Sequence, residues 1–190
     1  IIALLLRRTH GFRRMEANVK LRLFNTASRE IEEFVPVRPP HVGLYTCGPT
    51  VYYYAHVGHI RAYANSDLLR RTLEYMGYQV RHVMNVTDVE DKIIRTVRET
   101  GKSLREITDH YTAEFFQDLA TLNIRRAHVV PRATESIPAI IALIERLLAK
   151  KHAYLGEDGS VYYSIKSFPA YGRLARLNLD ELQAGARIKH

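Results

Sequence analysis

The chain has a single cysteine, Cys47, among its 190 residues. One thiol cannot form an internal disulfide, so nothing in the sequence points to an oxidising compartment. Cys47 is therefore a candidate metal ligand, a candidate nucleophile or a small hydrophobic side chain. Long apolar runs are also absent, because the six apolar residues that open the chain are too few to span a bilayer. We expect a cytoplasmic protein without a membrane partner.

The first 14 residues lack acidic side chains and contain four of the chain's 28 basic residues. Their apolar run precedes the arginines, which is the reverse of a secretory signal, although arginines without acids also suit a transit peptide. We expect translation to start at Met15 and residues 1–18 to form a leader outside the fold. The rest of the chain, with all 20 acidic residues, has a small positive excess that is compatible with a polyanionic partner.

The order of predicted elements from residue 19 indicates a parallel sheet. A strand over residues 19–24 and a polar connection as far as Pro40 precede a second strand, "HVGLYT". Apolar residues then keep helical spacing from Ile60 until Gly77, and a third strand, "QVRHVM", follows. This is a βαβ unit of the α/β class. In such sheets ligands bind beyond the carboxyl ends of the strands.

The remainder reads as helices and a hairpin. Thr87 with Glu90 and Ser103 with Glu106 have capping-box spacing, and a long core-facing helix follows Ser103. An amphipathic helix over residues 140–151 then leads into the aromatic strands "HAYL" and "SVYYSI". The predicted domains are residues 19–121, a sheet domain, and residues 122–190, an inserted α+β module.

The stretch "CGPTVYYYAHVGH" is the candidate site, because it follows the second strand and opens the helix. Taken singly, Cys47 fits a buried hydrophobe, and a histidine at a helix start fits a cap. Together they exceed what a loop requires. His56 and His59 would lie on the first helical turn, where imidazole donors and helix N–H groups stabilise polyphosphate charge. Gly58 between them would allow close approach to the backbone.

These residues carry a family resemblance. "HVGH" resembles the HIGH signature of class I aminoacyl-tRNA synthetases, with Val57 in place of the usual isoleucine, and "YTCGPTVY" with "NVTDVEDK" is similar to the cysteinyl-tRNA synthetases. The segments "RATESI" and "AYGRLARLNLDELQAGAR" extend the resemblance from about Val19 to Arg187. It implies the first half of a Rossmann-like nucleotide-binding sheet with an inserted α+β connective module.

The resemblance implies a ligase of protein biosynthesis. Cysteine would be activated by ATP, with Mg²⁺, to cysteinyl-adenylate and transferred to tRNA(Cys). His56 and His59 would be catalytic and, with Gly58, would bind ATP.

The same match implies an amino-acid pocket. Gly48, Thr50 and Thr87 would bind cysteine, and Cys47 would be the first ligand of a zinc ion that receives the substrate thiolate. For Thr87 a helix-capping role is an equal alternative, and for Asn85 and Asp88 a turn or cap role is favoured over substrate binding.

The family's other zinc ligands and its lysine-rich ATP loop belong after "QAGAR", so the resemblance implies an enzyme fragment, or a truncated relative, that is inactive alone. Two alternatives stay open. One is a cysteine ligase of mycothiol synthesis, against which the valine after Thr50 and the presence of Lys92 both count. The other is a non-catalytic nucleotide-binding paralogue.

Overall fold

A computed structural model of the chain describes residues 20–177, so the predicted leader and residues 178–190 lie outside the described residues. The described part forms two compact units, one from residues 20–21 and 35–131 and the other from residues 22–34 and 132–177. The predicted domain boundary at residue 122 stays a prediction.

Six strands and four α-helices make up the described chain, with short 3₁₀ turns at Thr134–Ser136 and Ile165–Ser167. None of these helices combines the length and apolar character needed to cross a membrane. In chain order the elements are β1 (Arg22–Asn25), β2 (Glu30–Glu33), β3 (His41–Thr46), α1 (Val57–Tyr75), β4 (Gln79–Met84), α2 (Asp91–Thr100), α3 (Leu104–Thr121), α4 (Ile137–Ala149), β5 (Ala153–Leu155) and β6 (Val161–Tyr163).

The first unit contains the predicted βαβ arrangement. β3 and β4 pair in parallel, in a register that sets His41 opposite Gln79 and Thr46 opposite Met84. On the other side of β4, the Met84 amide donates to the carbonyl of Val129 at 3.0 Å, in a parallel bridge. The α/β class with a parallel sheet is confirmed, and the carboxyl ends of both strands meet at one edge.

Helix α1 begins at Val57, three residues before the apolar pattern predicts, because His56 is its N-cap. It ends at Tyr75, and the predicted stop follows at Gly77, whose φ is 92°. Tyr63 of α1 packs edge-on against Phe115, with ring centroids 4.9 Å apart. The core cluster around this contact, drawn from α1, β4, α3 and the following segment, contains Tyr63, Met84, Phe115, Leu119, Ile124 and Ala127.

The two predicted capping boxes have opposite outcomes. At α3 the box is confirmed, because the Ser103 hydroxyl accepts from the Glu106 amide at 3.2 Å and the Glu106 carboxylate accepts from the Ser103 amide at 2.8 Å. The Ser103 hydroxyl also donates to the Glu106 carboxylate at 2.6 Å, and this bond, followed by the one from the Ser103 amide, lowers the pKa of Glu106. At α2 the capping role of Thr87 is wrong, since Glu90 is the N-cap and accepts from the Lys92 amide at 2.8 Å.

The second unit mixes strands with one helix. The expected connection after Phe24 is wrong in part, because β2 pairs antiparallel with β1 around a turn at Arg29. The sequence Glu-Ile-Glu-Glu is a weak strand former, so the pairing decides its conformation. The predicted hairpin is confirmed as β5 and β6. Helix α4 starts earlier than predicted, with Pro138 in its first turn.

A buried polar cluster lies between α1 and β4. Arg70, 7% exposed, donates from Nε to Glu74 at 2.8 Å and from Nη1 to the carbonyl of Arg126 at 2.9 Å. His82, 2% exposed, has Nε2 2.8 Å from Thr46 Oγ1. Burial, followed by the charge of Arg70, lowers the pKa of His82. The folded chain therefore favours a neutral imidazole at this position.

This cluster predicts an acid-sensitive fold. A lowered pKa means that the unfolded chain binds the proton more tightly, so the contribution of His82 is complete above the unfolded pKa of about 6.5 and is lost as pH falls below it. We expect the free energy of unfolding, measured by urea titration, to fall from about pH 7.5 to about pH 5.5. His82→Gln should flatten that slope, and His41→Gln, at an exposed histidine, should leave it unchanged. An equal slope in His82→Gln would refute the assignment.

Candidate functional site

A cleft of about 720 Å³ opens where the loop after β3 leads into α1. Its lining includes the predicted residues Gly48, Thr50, His56 and His59. Three of the predicted residues are not part of the lining: Cys47 and Gly58 are next to lining residues in the chain, and Thr87 pairs with the lining residue Thr50. The structure thus brings the predicted histidines and two of the predicted amino-acid contacts into one space.

The two histidines are locked by backbone groups. His56 Nδ1 accepts from the Gly58 amide at 3.1 Å, and His59 Nδ1 accepts from the His56 amide at 3.4 Å. Their rings stack with centroids 3.6 Å apart. Because each Nδ1 acts as an acceptor, the proton of each neutral ring resides on Nε2. Each neutral ring therefore has an Nε2–H donor at the N-terminus of α1, whose first turn has no acidic side chain.

Gly58 leaves room for the first of these rings. A Cβ at this position would lie 3.0 Å from His56 Cε1 and 3.1 Å from His56 Nδ1. A side chain here would thus crowd the imidazole that caps the helix, and the contact of Gly58 with ATP stays a prediction.

Gly48 meets the end of β4 at close range. Its amide donates to Asn85 Oδ1 at 3.0 Å, and a Cβ on Gly48 would fall 1.6 Å from the Asn85 carbonyl oxygen. Only glycine fits there. Since its N–H is already used, Gly48 can contribute to a pocket through backbone shape and not as a donor.

The backbone of Thr87 pairs with the residues on either side of Thr50. The Thr87 amide donates to the Pro49 carbonyl at 2.9 Å, and the Val51 amide donates to the Thr87 carbonyl at 3.1 Å. This short parallel bridge ties the loop after β3 to the segment after β4. It also explains why Thr87 does not cap α2.

Cys47 is an exposed free thiol, with Sγ 3.9 Å from the Gly48 carbonyl. Burial of Tyr63 is the main reason that its pKa is raised to about 12, and negative charge at the nearby Cys47 adds to the shift. Within residues 20–177, no group of three His, Cys, Asp or Glu side chains is placed to hold a metal ion. Cys47 is accessible as a single ligand, and this part of the chain does not complete a zinc site around it.

Sequence reasoning missed an aromatic rim on the cleft. Tyr53 and Tyr54 are 64% and 49% exposed, and Tyr54 meets Tyr111 of α3 edge-on at 5.2 Å. Lys92 Nζ lies 5.0 Å from the centroid of the Tyr52 ring. Three consecutive tyrosines in one loop were the available signal.

Comparison with known proteins identifies a family. Residues 33–190 match the model described as "tRNA synthetases class I (C) catalytic domain". The chain is 53% identical over 169 residues to the cysteine–tRNA ligase of Protochlamydia amoebophila, covering 89% of this chain and 35% of that protein. It is 49% identical over 169 residues to the Glaesserella parasuis cysteine–tRNA ligase, covering 89% of this chain and 37% of that protein. The chain thus spans little more than a third of these relatives.

A solved structure shows the same fold. It is the ternary complex of Agrobacterium radiobacter K84 agnB2 LeuRS with tRNA and LeuAMS, to which the chain is 21% identical with a TM-score of 0.53. The match covers 63% of this chain and 16% of that one. At this identity the likeness concerns the fold alone.

Proposed function

This chain belongs to the class I (C) tRNA synthetase catalytic-domain family, and from that membership we propose that the whole protein is a cysteine–tRNA ligase. It would activate cysteine with ATP to cysteinyl-adenylate and transfer the cysteinyl group to tRNA(Cys), in the cytoplasm. The curated relatives named above as cysteine–tRNA ligases support this proposal. The observation that carries it is the locked histidine pair of α1, at a cleft shared with Gly48 and Thr50.

In the activation step, an oxygen of the cysteine carboxylate attacks the α-phosphorus of ATP. A carboxylate–phosphorus bond forms, and the bond to the leaving pyrophosphate breaks. Charge spreads over the phosphate oxygens as this happens. The Nε2–H groups of His56 and His59 would donate to those oxygens, and the N-terminus of α1 would add favourable potential. Because both rings are held through Nδ1, little reorganisation is needed when the charge develops.

The amino-acid pocket would lie at the start of the loop after β3. Gly48 would shape its floor, since no side chain fits there. Thr50, which lines the cleft, and Thr87, which is fastened to the same loop, would supply hydroxyl groups. Mg²⁺ would accompany ATP as a substrate complex.

Cys47 is the one zinc ligand that we propose among residues 20–177. An exposed thiol beside the cleft suits a soft metal ligand, and a bound zinc ion would select a thiolate substrate over a hydroxyl. A zinc site needs at least three protein ligands. The described residues do not supply that set, so the remaining ligands would come from outside residues 20–177.

This division of ligands can be measured. The 190-residue polypeptide, dialysed against a mild chelator, should retain far less than one equivalent of zinc by elemental analysis, because one thiolate binds the ion weakly. In the whole protein, Cys47→Ser should lower zinc retention, and Ser66→Ala should not. Stoichiometric zinc in the 190-residue polypeptide would show that ligands among its nine histidines were overlooked.

The proposed transfer step is tested by acceptor choice. The purified whole protein, free of host synthetase, should attach labelled cysteine to tRNA(Cys) and leave an amino-sugar acceptor unmodified. Transfer to the amino sugar alone would replace the proposal with the mycothiol-type ligase. Nucleotide binding without any transfer would replace it with a non-catalytic binding protein.

A further inference from the structure

We propose that Asn85 is a positioning residue, which holds the loop after β3 in place and fixes the hydroxyl of Thr87 as a hydrogen-bond donor for the carboxylate of the bound amino acid. The second part rests on the proposed function. The first part rests only on the hydrogen bonds that the Asn85 amide makes.

One side-chain amide joins three neighbours. Asn85 Oδ1 accepts from the Gly48 amide at 3.0 Å and from the Tyr45 hydroxyl at 2.9 Å. Its Nδ2 donates to Thr87 Oγ1 at 3.1 Å. The acceptor and donor ends are thus both engaged, which fixes the orientation of the amide. Because Gly48 directly follows Cys47, this contact also locates the thiol-bearing end of the loop.

The approach of Gly48 to the same residue makes the arrangement specific. The Asn85 carbonyl oxygen occupies the space that a Gly48 Cβ would need. Backbone and side chain of Asn85 therefore meet one glycine from two directions. Asn85 lies immediately after β4, which is paired on both sides. Its contacts therefore fix the position of the loop relative to the sheet.

The contact with Thr87 decides what its hydroxyl can offer. A hydroxyl has one hydrogen and two lone pairs. Since Nδ2 of Asn85 occupies a lone pair of Oγ1, the hydroxyl hydrogen remains for another partner. An amino-acid carboxylate is an acceptor only, so it matches that hydrogen. One carboxylate oxygen held in this way would leave the other for attack on phosphorus.

Asparagine is suited to this position because its side-chain amide has both an acceptor, Oδ1, and a donor, Nδ2. Aspartate would still accept from Gly48 and Tyr45, but it would face Thr87 with an acceptor and draw the hydroxyl hydrogen to itself. Alanine would remove all three contacts. The two substitutions therefore separate the hold on the loop from the orientation of Thr87.

The test combines kinetics of cysteine-dependent ATP–pyrophosphate exchange with amide hydrogen exchange at Gly48, in the whole protein. We expect Asn85→Asp to raise the KM for cysteine about tenfold, the effect of one lost hydrogen bond, with kcat within about twofold. Thr87→Val should raise KM by about the same factor, and Thr87→Ser should stay close to the unmodified protein. The matched control is Asn65→Asp, at an exposed position on α1, which should change neither constant.

A double variant and the hydrogen exchange of the Gly48 amide complete the test. Adding Asn85→Asp to Thr87→Val should leave KM near the single-variant value, because both act on one hydroxyl. The Gly48 amide should stay protected in Asn85→Asp and exchange faster in Asn85→Ala. An additive rise of about a hundredfold in the double variant, an unchanged KM in Asn85→Asp, or unchanged Gly48 exchange in Asn85→Ala would overturn the proposal.

Failure of the proposed function has a different signature. No cysteine-dependent exchange by the unmodified protein would overturn that function and the Thr87 role together. The Gly48 amide measurement needs no substrate, and it would still confirm or refute the hold of Asn85 on the loop.

Discussion

His59→Ala should slow cysteinyl-adenylate formation by a factor of about 100 to 1,000, with cysteine binding nearly intact. The imidazole Nε2–H is expected to strengthen its hydrogen bond as charge develops on the phosphate, so its loss acts on the transition state. His56→Ala should have an effect of the same order. ATP–pyrophosphate exchange and equilibrium cysteine binding measure the two quantities.

Because His56 also caps α1, a second variant is needed to separate its effect on stability from its effect on catalysis. His56→Ala also removes the acceptor for the Gly58 amide, which costs about 1 kcal/mol of stability. Asparagine is a good N-cap, so His56→Asn should restore the thermal midpoint and still lack exchange activity. His41→Ala, at the opposite end of β3, should leave exchange unchanged. Normal exchange in both His56→Asn and His59→Ala would remove the histidines from the chemistry.

Gly48→Ala should disable the site and destabilise the first unit. The added Cβ would lie 1.6 Å from a backbone oxygen, so the loop after β3 must move away from the end of β4. Forcing a methyl group into filled space costs about 3 kcal/mol or more when backbone must shift. We expect a fall of about 6–12 °C in the melting temperature and exchange activity below detection.

The control for this substitution lies on the preceding strand. Gly43 is part of β3, and a Cβ there would meet nothing within 4 Å. Gly43→Ala should therefore keep full activity and raise stability slightly, by roughly 0.5 kcal/mol, through loss of backbone freedom in the unfolded chain. Equal melting temperatures for Gly48→Ala and Gly43→Ala would contradict the close approach at Gly48.

The sequence predicted the elements whose signals are local. Helical spacing located α1 and Gly77 marked its end, and the predicted strands "HVGLYT" and "QVRHVM" match β3 and β4. The Ser103 capping box also succeeded, since both partners lie within one turn. Short-range geometry therefore explains most of the first unit.

The errors arose where distant backbone groups compete with local ones. Thr87 has the spacing of a cap, but its amide and carbonyl pair with the loop after β3, which lies near it only once β3 and β4 have paired. β2 was missed for a different reason: its partner β1 is close in the chain, but the sequence Glu-Ile-Glu-Glu is a weak strand former. The turn or cap role expected for Asn85 left out its contacts with Tyr45 and Gly48, which span 40 and 37 residues.

The sequence predicted the residues at the strand end and helix start of the candidate site better than it predicted the aromatic rim. His56, His59, Gly48 and Thr50 meet in the cleft as the strand order implies, since parallel carboxyl ends share an edge. The tyrosine rim depends on α3 packing beside the loop, which no motif encodes. The zinc role of Cys47 stays a prediction.

The most direct measurement is the amino-acid dependence of ATP–pyrophosphate exchange by the purified whole protein. We predict exchange with cysteine and loss of that signal in His59→Ala. Exchange with serine should be weaker by several orders of magnitude, as expected when a site rejects a substrate lacking its key group. Exchange that is absent with cysteine, equal with serine, or unaffected by His59→Ala would contradict these predictions.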